Sequence, residues 1–293
     1  MEFFETAVTA FRNTLPMMVK FHLLLIPFIL LEQIWPARER PRPRDYLLNA
    51  AIIFSTLALV IPIGMLSGMG GRYVQEALGL TPYALSFDLL RSVPVVGEAL
   101  RVVVIGIAAF VLHDLWFYWS HRLEHKVPFL WEFHKLHHSE ERMNAGTFGR
   151  DHFLQSAWRT IFPTFTLGLV LKLNVAAAAN MGVIVVFAMV SVSMFYHSSV
   201  RFRLRWLHPV IMTPQVHRIH HSVDPAHHNK NFADFLPIFD IVFGTYHRPG
   251  KDEFPATGLG GDNPHRNIIA AQVKPVIGAV RTLIPKRSTA TSD

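Results

Sequence analysis

Residues 113–138 read HDLWFYWSHRLEHKVPFLWEFHKLHH, and five of the chain's 17 histidines fall between His121 and His138. His121 and His125 are four residues apart, so on a helix they share one face. His134, His137 and His138, at offsets of three and four, line one stripe of a second helix. Pro128 divides the two, because it disfavours helix at Val127 and suits the first position of a new one. Immediately upstream, residues 102–119 are apolar over nearly the ~20 residues a helix needs to cross a bilayer. A membrane helix that continues out of the lipid as a histidine-bearing helix is the first expectation. The pattern returns as His217-Arg218-Ile219-His220-His221. Three short helices thus carry eight histidines, twice the four ligands of a tetrahedral structural zinc, and two metals are the natural reading. A single H-x-x-H-H is weak, since a basic surface helix can carry one. Two copies plus H-x-x-x-H beside a membrane span are not explained by solvation.

Working outward, residues 15–35 and 46–66 are also apolar enough to span a bilayer. A fourth block, 160–196, is interrupted by Lys172, Leu173 and Asn174 and reads as a helical hairpin. The expected architecture is an all-α membrane protein with four to five apolar helical segments, hairpin included, and a cytosolic helical cap carrying a histidine-rich dimetal site. Residues 1–101 would form an N-terminal transmembrane region, 102–249 the catalytic region, and 250–293 a tail, amphipathic at 267–284 and disordered from Pro285. Residues 1–14 lack the cationic start and small-residue cleavage site of a secretory signal. Arg38, Arg40, Arg42 and Arg44 follow the first span, and Arg201, Arg203 and Arg205 follow the hairpin. Positive loops stay in the cytosol, which puts both histidine clusters on that side. Trp35, Trp119, Trp158 and Trp206 fall near the cytosolic ends of spans, as an aromatic interface belt would. No internal repeat is visible.

Composition agrees with a bilayer. The 293 residues are 51% hydrophobic with a mean hydropathy of +0.27, more apolar surface than one soluble core of this length buries. The net charge of +7 comes from basic residues beside apolar segments, which suits anionic lipid headgroups and not nucleic acid. Without cysteine the chain has no disulfide, zinc-thiolate site or protein-bound iron–sulfur cluster, so electrons for any redox chemistry must come from outside.

The strings HDLWFYWSHRLEH, LWEFHKLHHS and TPQVHRIHHS, in that order, and the closing NFADFLPIFDIVFGTYHRP resemble the fatty acid hydroxylase and sterol desaturase superfamily of integral-membrane non-haem diiron enzymes. The resemblance covers residues 113–249. It implies that His121, His125, His134, His137, His138, His217, His220 and His221 hold two iron ions. His197, in FYHSS, matches a further family histidine. It also implies oxygen-dependent hydroxylation or desaturation of a sterol, fatty acyl chain or related lipid, with a separate reductase or a ferredoxin- or cytochrome-type electron donor.

The chemistry is consistent with the residues. Attack on an unactivated C–H bond needs a redox-active metal that binds dioxygen, which rules out zinc as the working ion. Soluble diiron bundles often use E-x-x-H pairs, and none occurs here. Neutral ligands leave such a centre strongly positive, so carboxylates are expected to orient the imidazoles through their free N–H groups, with Asp114 and Asp240 as candidates. His113 stands two helical turns from His121, about 12 Å, and is left out of the ligand set. His22 reads as structural, and His152, His208, His227, His228, His247 and His265 as loop or interface residues. A competing reading takes His121-x-x-Glu124-His125 as an inverted zinc-hydrolase motif, but leaves two H-x-x-H-H motifs without work. A metal transporter would instead place its ligands near the bilayer midplane.

Overall fold

The computed structural model describes residues 2–80, 97–170, 187–261 and 263–284, and among them there is no strand, only isolated bridges and helices. In chain order the helices are α1 (Glu2–Ile34), α2 (Pro43–Ala77), α3 (Gly97–Lys126), α4 (Pro128–His138), α5 (Phe153–Val170), α6 (Phe187–His197), α7 (Pro214–His220), α8 (Ile238–Val242) and α9 (Ile268–Leu283).

Helix α2 starts where its sequence says it should. Pro43 occupies the first position, and Asp45 turns back to accept the Arg42 backbone N–H at 2.9 Å. It ends at Gly79, whose φ of +62° reverses the chain so that the Gly79 and Leu80 N–H groups reach the Glu76 and Gln75 carbonyls. Thirty-five residues at ~1.5 Å each give a rod of roughly 52 Å. Among the described residues α2 is the one helix long and apolar enough by itself to cross a membrane, with a mean hydropathy of 2.2 over its most apolar window. Shorter apolar helices occupy His22–Ile34 and Phe187–His197.

Three boundaries differ from expectation. Helix α1 begins at Glu2 and α2 runs on to Ala77, so both outlast their apolar runs. Helix α5 begins at Phe153, seven residues before the apolar block, and those added two turns prove to belong to the site. The turn of the expected hairpin, Lys172 to Asn174, lies outside the described residues. Helix α3 does run from the apolar stretch through His125 and stops before Pro128. There Val127 is extended (φ −98°, ψ 113°) and Pro128 opens α4.

Helices α2 and α5 lie side by side. Thr56 Oγ1 donates to the Asp151 carbonyl (2.8 Å) and Ser67 Oγ to that of Ile161 (2.8 Å). The 3-10 turn Ala145–Gly149 ahead of α5 also presses on α2, where a Cβ on Gly149 would stand 2.6 Å from the Ile53 side chain. Helix α9 covers α4 and the start of α2 through Ala271, which packs on Ile52 and Leu136. Arg150 is fully buried at this junction, donating to Asn49 Oδ1 (2.8 Å), the His265 carbonyl (2.9 Å) and the Leu136 carbonyl (3.2 Å). Its guanidinium therefore ties α2, α4 and the tail in one step. Glu32 does the same for α1, accepting the Ala145 and Ser199 N–H groups (2.7 and 2.8 Å) and the Tyr46 hydroxyl. Trp35, Trp119 and Trp206 are exposed, whereas Trp158 turns inward, its ring against Trp116.

Candidate metal centre

Four helices converge on one point. Helix α3 contributes His121 and His125, α4 contributes His134, His137 and His138, the end of α6 contributes His197, and α7 with its C-cap contributes His217, His220 and His221. Helix α7 is a two-turn helix that is buried throughout, opened by Thr213, whose hydroxyl accepts the Val216 N–H, and by Pro214 at its first position.

The imidazoles sort into two groups. His121, His125, His134, His138 and His220 form one, and His137, His197, His217 and His221 the other. Within each, one nitrogen per residue lies within 4.8 Å of all the rest. The two H-x-x-H-H motifs cross over. Helix α4 gives its i, i+4 pair to the first group and His137 to the second, while α7 gives its i, i+4 pair to the second and His220 to the first. The groups adjoin, with the His138 and His221 rings stacked at 4.5 Å.

The local chemistry fits a cation in each group. In the first, His134 Nε2 stands 3.0 Å from His121 Nε2, 3.1 Å from His125 Nε2 and 3.0 Å from His138 Nε2. In the second, Nε2 atoms are separated by 3.3 Å (His197 to His137), 2.9 Å (His217 to His197) and 3.0 Å (His221 to His217). Three Nδ1 atoms are committed to carbonyls: His121 to Phe232 O (2.7 Å), His220 to Lys230 O (2.8 Å) and His197 to Ser193 O (2.8 Å). A carbonyl only accepts, so these Nδ1 atoms carry the hydrogens and their Nε2 atoms present lone pairs inward. His220 Nε2 is buried and without a hydrogen-bond partner. Burial, reinforced for most of the nine by neighbouring positive charge, holds their pKa values below the ordinary range: His220 falls to about 4 and His197 to about 3. Lone pairs of neutral imidazoles turned into one small space repel, and a positive ion among them removes that repulsion.

The support is not where the sequence reading put it. Neither Asp114 nor Asp240 touches a histidine, and both are corrections. Asp114 accepts the backbone N–H groups of Asp234, Phe235 and Leu236 at 3.0, 3.0 and 2.7 Å. Asp240 accepts those of Phe232 and Ala233 (2.7 and 2.9 Å) and the Thr245 hydroxyl (2.7 Å). A carboxylate facing a run of free backbone N–H groups is satisfied by them, so these two fix the 232–236 loop. That loop then presents the Phe232 carbonyl to His121. Asn231 helps by adopting the left-handed region (φ 56°), which turns the flanking carbonyls of Lys230 and Phe232 to different histidines.

The carboxylates that do reach the imidazoles were missed. Asp151 Oδ1 lies 3.4 Å from His137 Nδ1, and Glu124 Oε2 lies 3.3 Å from His134 Nδ1 beside the Gln155 amide at 2.8 Å. Arg159 Nε donates to Glu124 Oε1 (2.9 Å), and its guanidinium also faces Asp151 at 3.9 Å. Burial pushes Glu124 up to about 7 and Asp151 up to about 6, and in both the Arg159 charge pulls the other way. Asp151, Gln155 and Arg159 recur every four residues, a polar stripe leading into an apolar helix, and that spacing was the available signal. His113 joins neither group and faces Asp234 at 3.5 Å.

Two clefts approach the centre. One, of about 270 Å³, touches His125, His138 and His220 directly and is completed by Trp131, His228 and Leu259 among others. The other, also about 270 Å³ and nearly all apolar, runs between Phe129, Phe133, Leu154 and Trp158 and ends on Glu124 and Gln155.

Residues 106–245 match the family model for fatty acid hydroxylase. The chain is 32% identical over 162 residues to ornithine lipid hydroxylase OlsE of Rhizobium tropici, covering 54% of this chain and 46% of that protein. It is 34% identical over 140 residues to human alkylglycerol monooxygenase, covering 47% and 30%, and 24% identical over 229 residues to the cholesterol 25-hydroxylase-like protein of Danio rerio, covering 76% and 85%. The match thus spans less than half the length of the first two. No solved structure matches.

Proposed function

The chain belongs to the fatty acid hydroxylase and sterol desaturase superfamily through residues 106–245, and on that premise we propose that it is a membrane-bound, oxygen-dependent lipid hydroxylase or desaturase working through two irons held by the nine clustered histidines. The observation that carries this reading is the pair of adjacent groups of imidazoles, buried except for half-buried His125, in each of which one ring nitrogen per residue lies within 4.8 Å of all the rest. Two irons bound there would supply dioxygen activation and an oxidant strong enough for a C–H bond, on electrons from a separate reductase or a ferredoxin- or cytochrome-type partner.

The chain's own residues do the rest. The Phe232, Lys230 and Ser193 carbonyls fix the tautomers of His121, His220 and His197. Glu124 and Asp151 set carboxyl groups behind His134 and His137, and the Arg159 charge opposes the protonation that their burial favours. The cleft that touches His125, His138 and His220 is where the reacting carbon and dioxygen would meet, with Trp131, Val223 and Leu259 on its apolar side and Ser222, His228 and Asn229 on its polar side. The substrate is a sterol, fatty acyl chain or related lipid entering from the membrane, with the histidine groups on its cytosolic side. Residues 1–101 anchor the chain in the bilayer, residues 102–249 carry the catalysis, and the tail covers α4.

The zinc-hydrolase reading is disfavoured by one contact. Glu124, which would have to activate water, is buried and held at both oxygens by Arg159.

The deciding measurement is metal content and valence on protein purified anaerobically in mild detergent, with His137→Ala and His220→Ala alongside. About two irons per chain, depleted in both variants and oxidised by dioxygen after reduction, is the expected result. Lipid extracts incubated with the reduced enzyme should then gain one oxygen or lose two hydrogens by mass spectrometry. One redox-silent zinc, indifferent to both substitutions, would sink the proposal.

A further inference from the structure

Away from the two histidine groups, His227, His247 and Glu253 each bring one ligand atom to within 4.8 Å of the others. They come from separate stretches, and each is pinned by contacts of its own. His227 closes the 3-10 turn Pro225–His227, and its Nδ1 lies 2.9 Å from Ser222 Oγ, which leaves Nε2 aimed at Glu253 Oε1, 3.0 Å away. The backbone of His247 is clamped by Asn231, which accepts its N–H (2.8 Å) and donates to its carbonyl (3.0 Å). Glu253 Oε2 accepts the Gly250 N–H at 2.6 Å, and Gln215 donates to the Gly250 and Glu253 carbonyls at 2.8 and 3.1 Å.

A hydrogen bond accounts for His227 and Glu253 but not for His247. Its Nε2 stands 3.7 Å from Glu253 Oε2, beyond hydrogen-bond reach, yet its ring is turned edge-on toward His227 with centroids 4.9 Å apart. Two imidazoles and a carboxylate converge, with His247 and Glu253 about one-third exposed so that water has access. This is the donor set of a zinc site with three protein ligands and a water in the fourth position.

We propose that His227, His247 and Glu253 bind a divalent cation of the zinc type, separate from the nine-histidine centre. The ion clips the turn that follows the third histidine motif to the 247–253 strap. Asn231 is anchored to that strap through His247, and the carbonyls flanking Asn231 orient His220 and His121, so the clip stiffens the support of the centre without supplying a ligand to it.

The test uses full-length, iron-loaded protein in mild detergent, zinc as the probe, and His247→Ala and Glu253→Gln as variants. Wild type should retain one zinc per chain more than either variant after gel filtration, iron content should be equal in all three, and added zinc should raise the melting temperature of wild type alone. Equal zinc content across the three proteins, with the same response of melting temperature, overturns the proposal. Should the variants fold poorly, cobalt(II) titration of iron-loaded wild type decides. Visible bands of tetrahedral cobalt saturating at one equivalent support the site, and a featureless titration overturns it.

Discussion

At the scale of single residues, Asn231 does more than its type suggests. It takes a left-handed backbone at φ 56° and makes three side-chain hydrogen bonds, to the Val216 carbonyl and to both backbone groups of His247. Asn231→Ala should cost roughly 4–5 kcal/mol, from backbone strain of ~1–2 and three lost hydrogen bonds of ~1 each. Asn231→Gly relieves the strain alone and should recover about 1 kcal/mol of it. Denaturant unfolding in detergent measures both, and equal losses would show that the backbone conformation contributes nothing. His265 tests acid stability. It is fully buried, and burial first, then the charges of Arg150, Lys135 and Lys274, lower its pKa from 6.5 to about 4. The unfolded chain therefore binds a proton at a higher pH than the folded one. The stability that this difference contributes is complete above pH 6.5 and is lost as pH falls toward about 4. Melting temperature followed through that window should fall less steeply for His265→Gln than for wild type.

At the scale of elements, α5 is the informative case. Its apolar run was legible, but its first two turns and the residues leading into them were not, because Asp151, Gln155 and Arg159 look like the solvated mouth of a membrane helix. Their spacing puts them on the face turned toward α3 and α4, where they meet His137, His134 and Glu124. Arg159→Ala leaves Glu124 buried without its partner and should destabilise by about 3 kcal/mol or more. Arg159→Met combined with Glu124→Gln removes both charges and should restore much of that. Melting temperature reads the stability and iron content reads the support of His134. Full iron content in Arg159→Ala would show that the stripe does not position the ligands. Helices α3, α4 and α7 were legible because proline and histidine punctuate them: Pro128 and Pro214 open helices, and offsets of three and four need only helical geometry. Asp114 and Asp240 misled because loops, not helices, oppose them. A sequence shows which carboxylates are buried in apolar surroundings, but not which backbone N–H groups will be free to meet them.

At the scale of the whole molecule, the sorting of nine histidines into five and four was beyond the sequence, since it depends on α4 and α7 exchanging their middle imidazoles. Helix-only structure was legible, and so was a bilayer-length element, although α2 exceeds its apolar run by 11 residues at its C-terminal end, Ala77 against residue 66. That excess makes the orientation testable. A rod of about 52 Å outreaches the ~30 Å hydrocarbon core, so if α2 crosses, residues just before it and just after it must face opposite compartments. Arg40 and Gly79 are both exposed at these two ends, and Asp252 is exposed on the strap near the histidine groups. The chain has no cysteine, so each can be replaced singly by cysteine without a background. The arginines around Arg40 argue for the cytosol. Membrane-impermeant thiol reagent applied to sealed cells should then label Gly79→Cys and spare Arg40→Cys and Asp252→Cys until the cells are opened. Labelling of Arg40→Cys and Asp252→Cys in intact cells, with Gly79→Cys spared, would invert the orientation and put the histidine groups outside. Labelling of Gly79→Cys together with the other two would mean that α2 does not cross, and that its apolar surface is covered by something other than a bilayer.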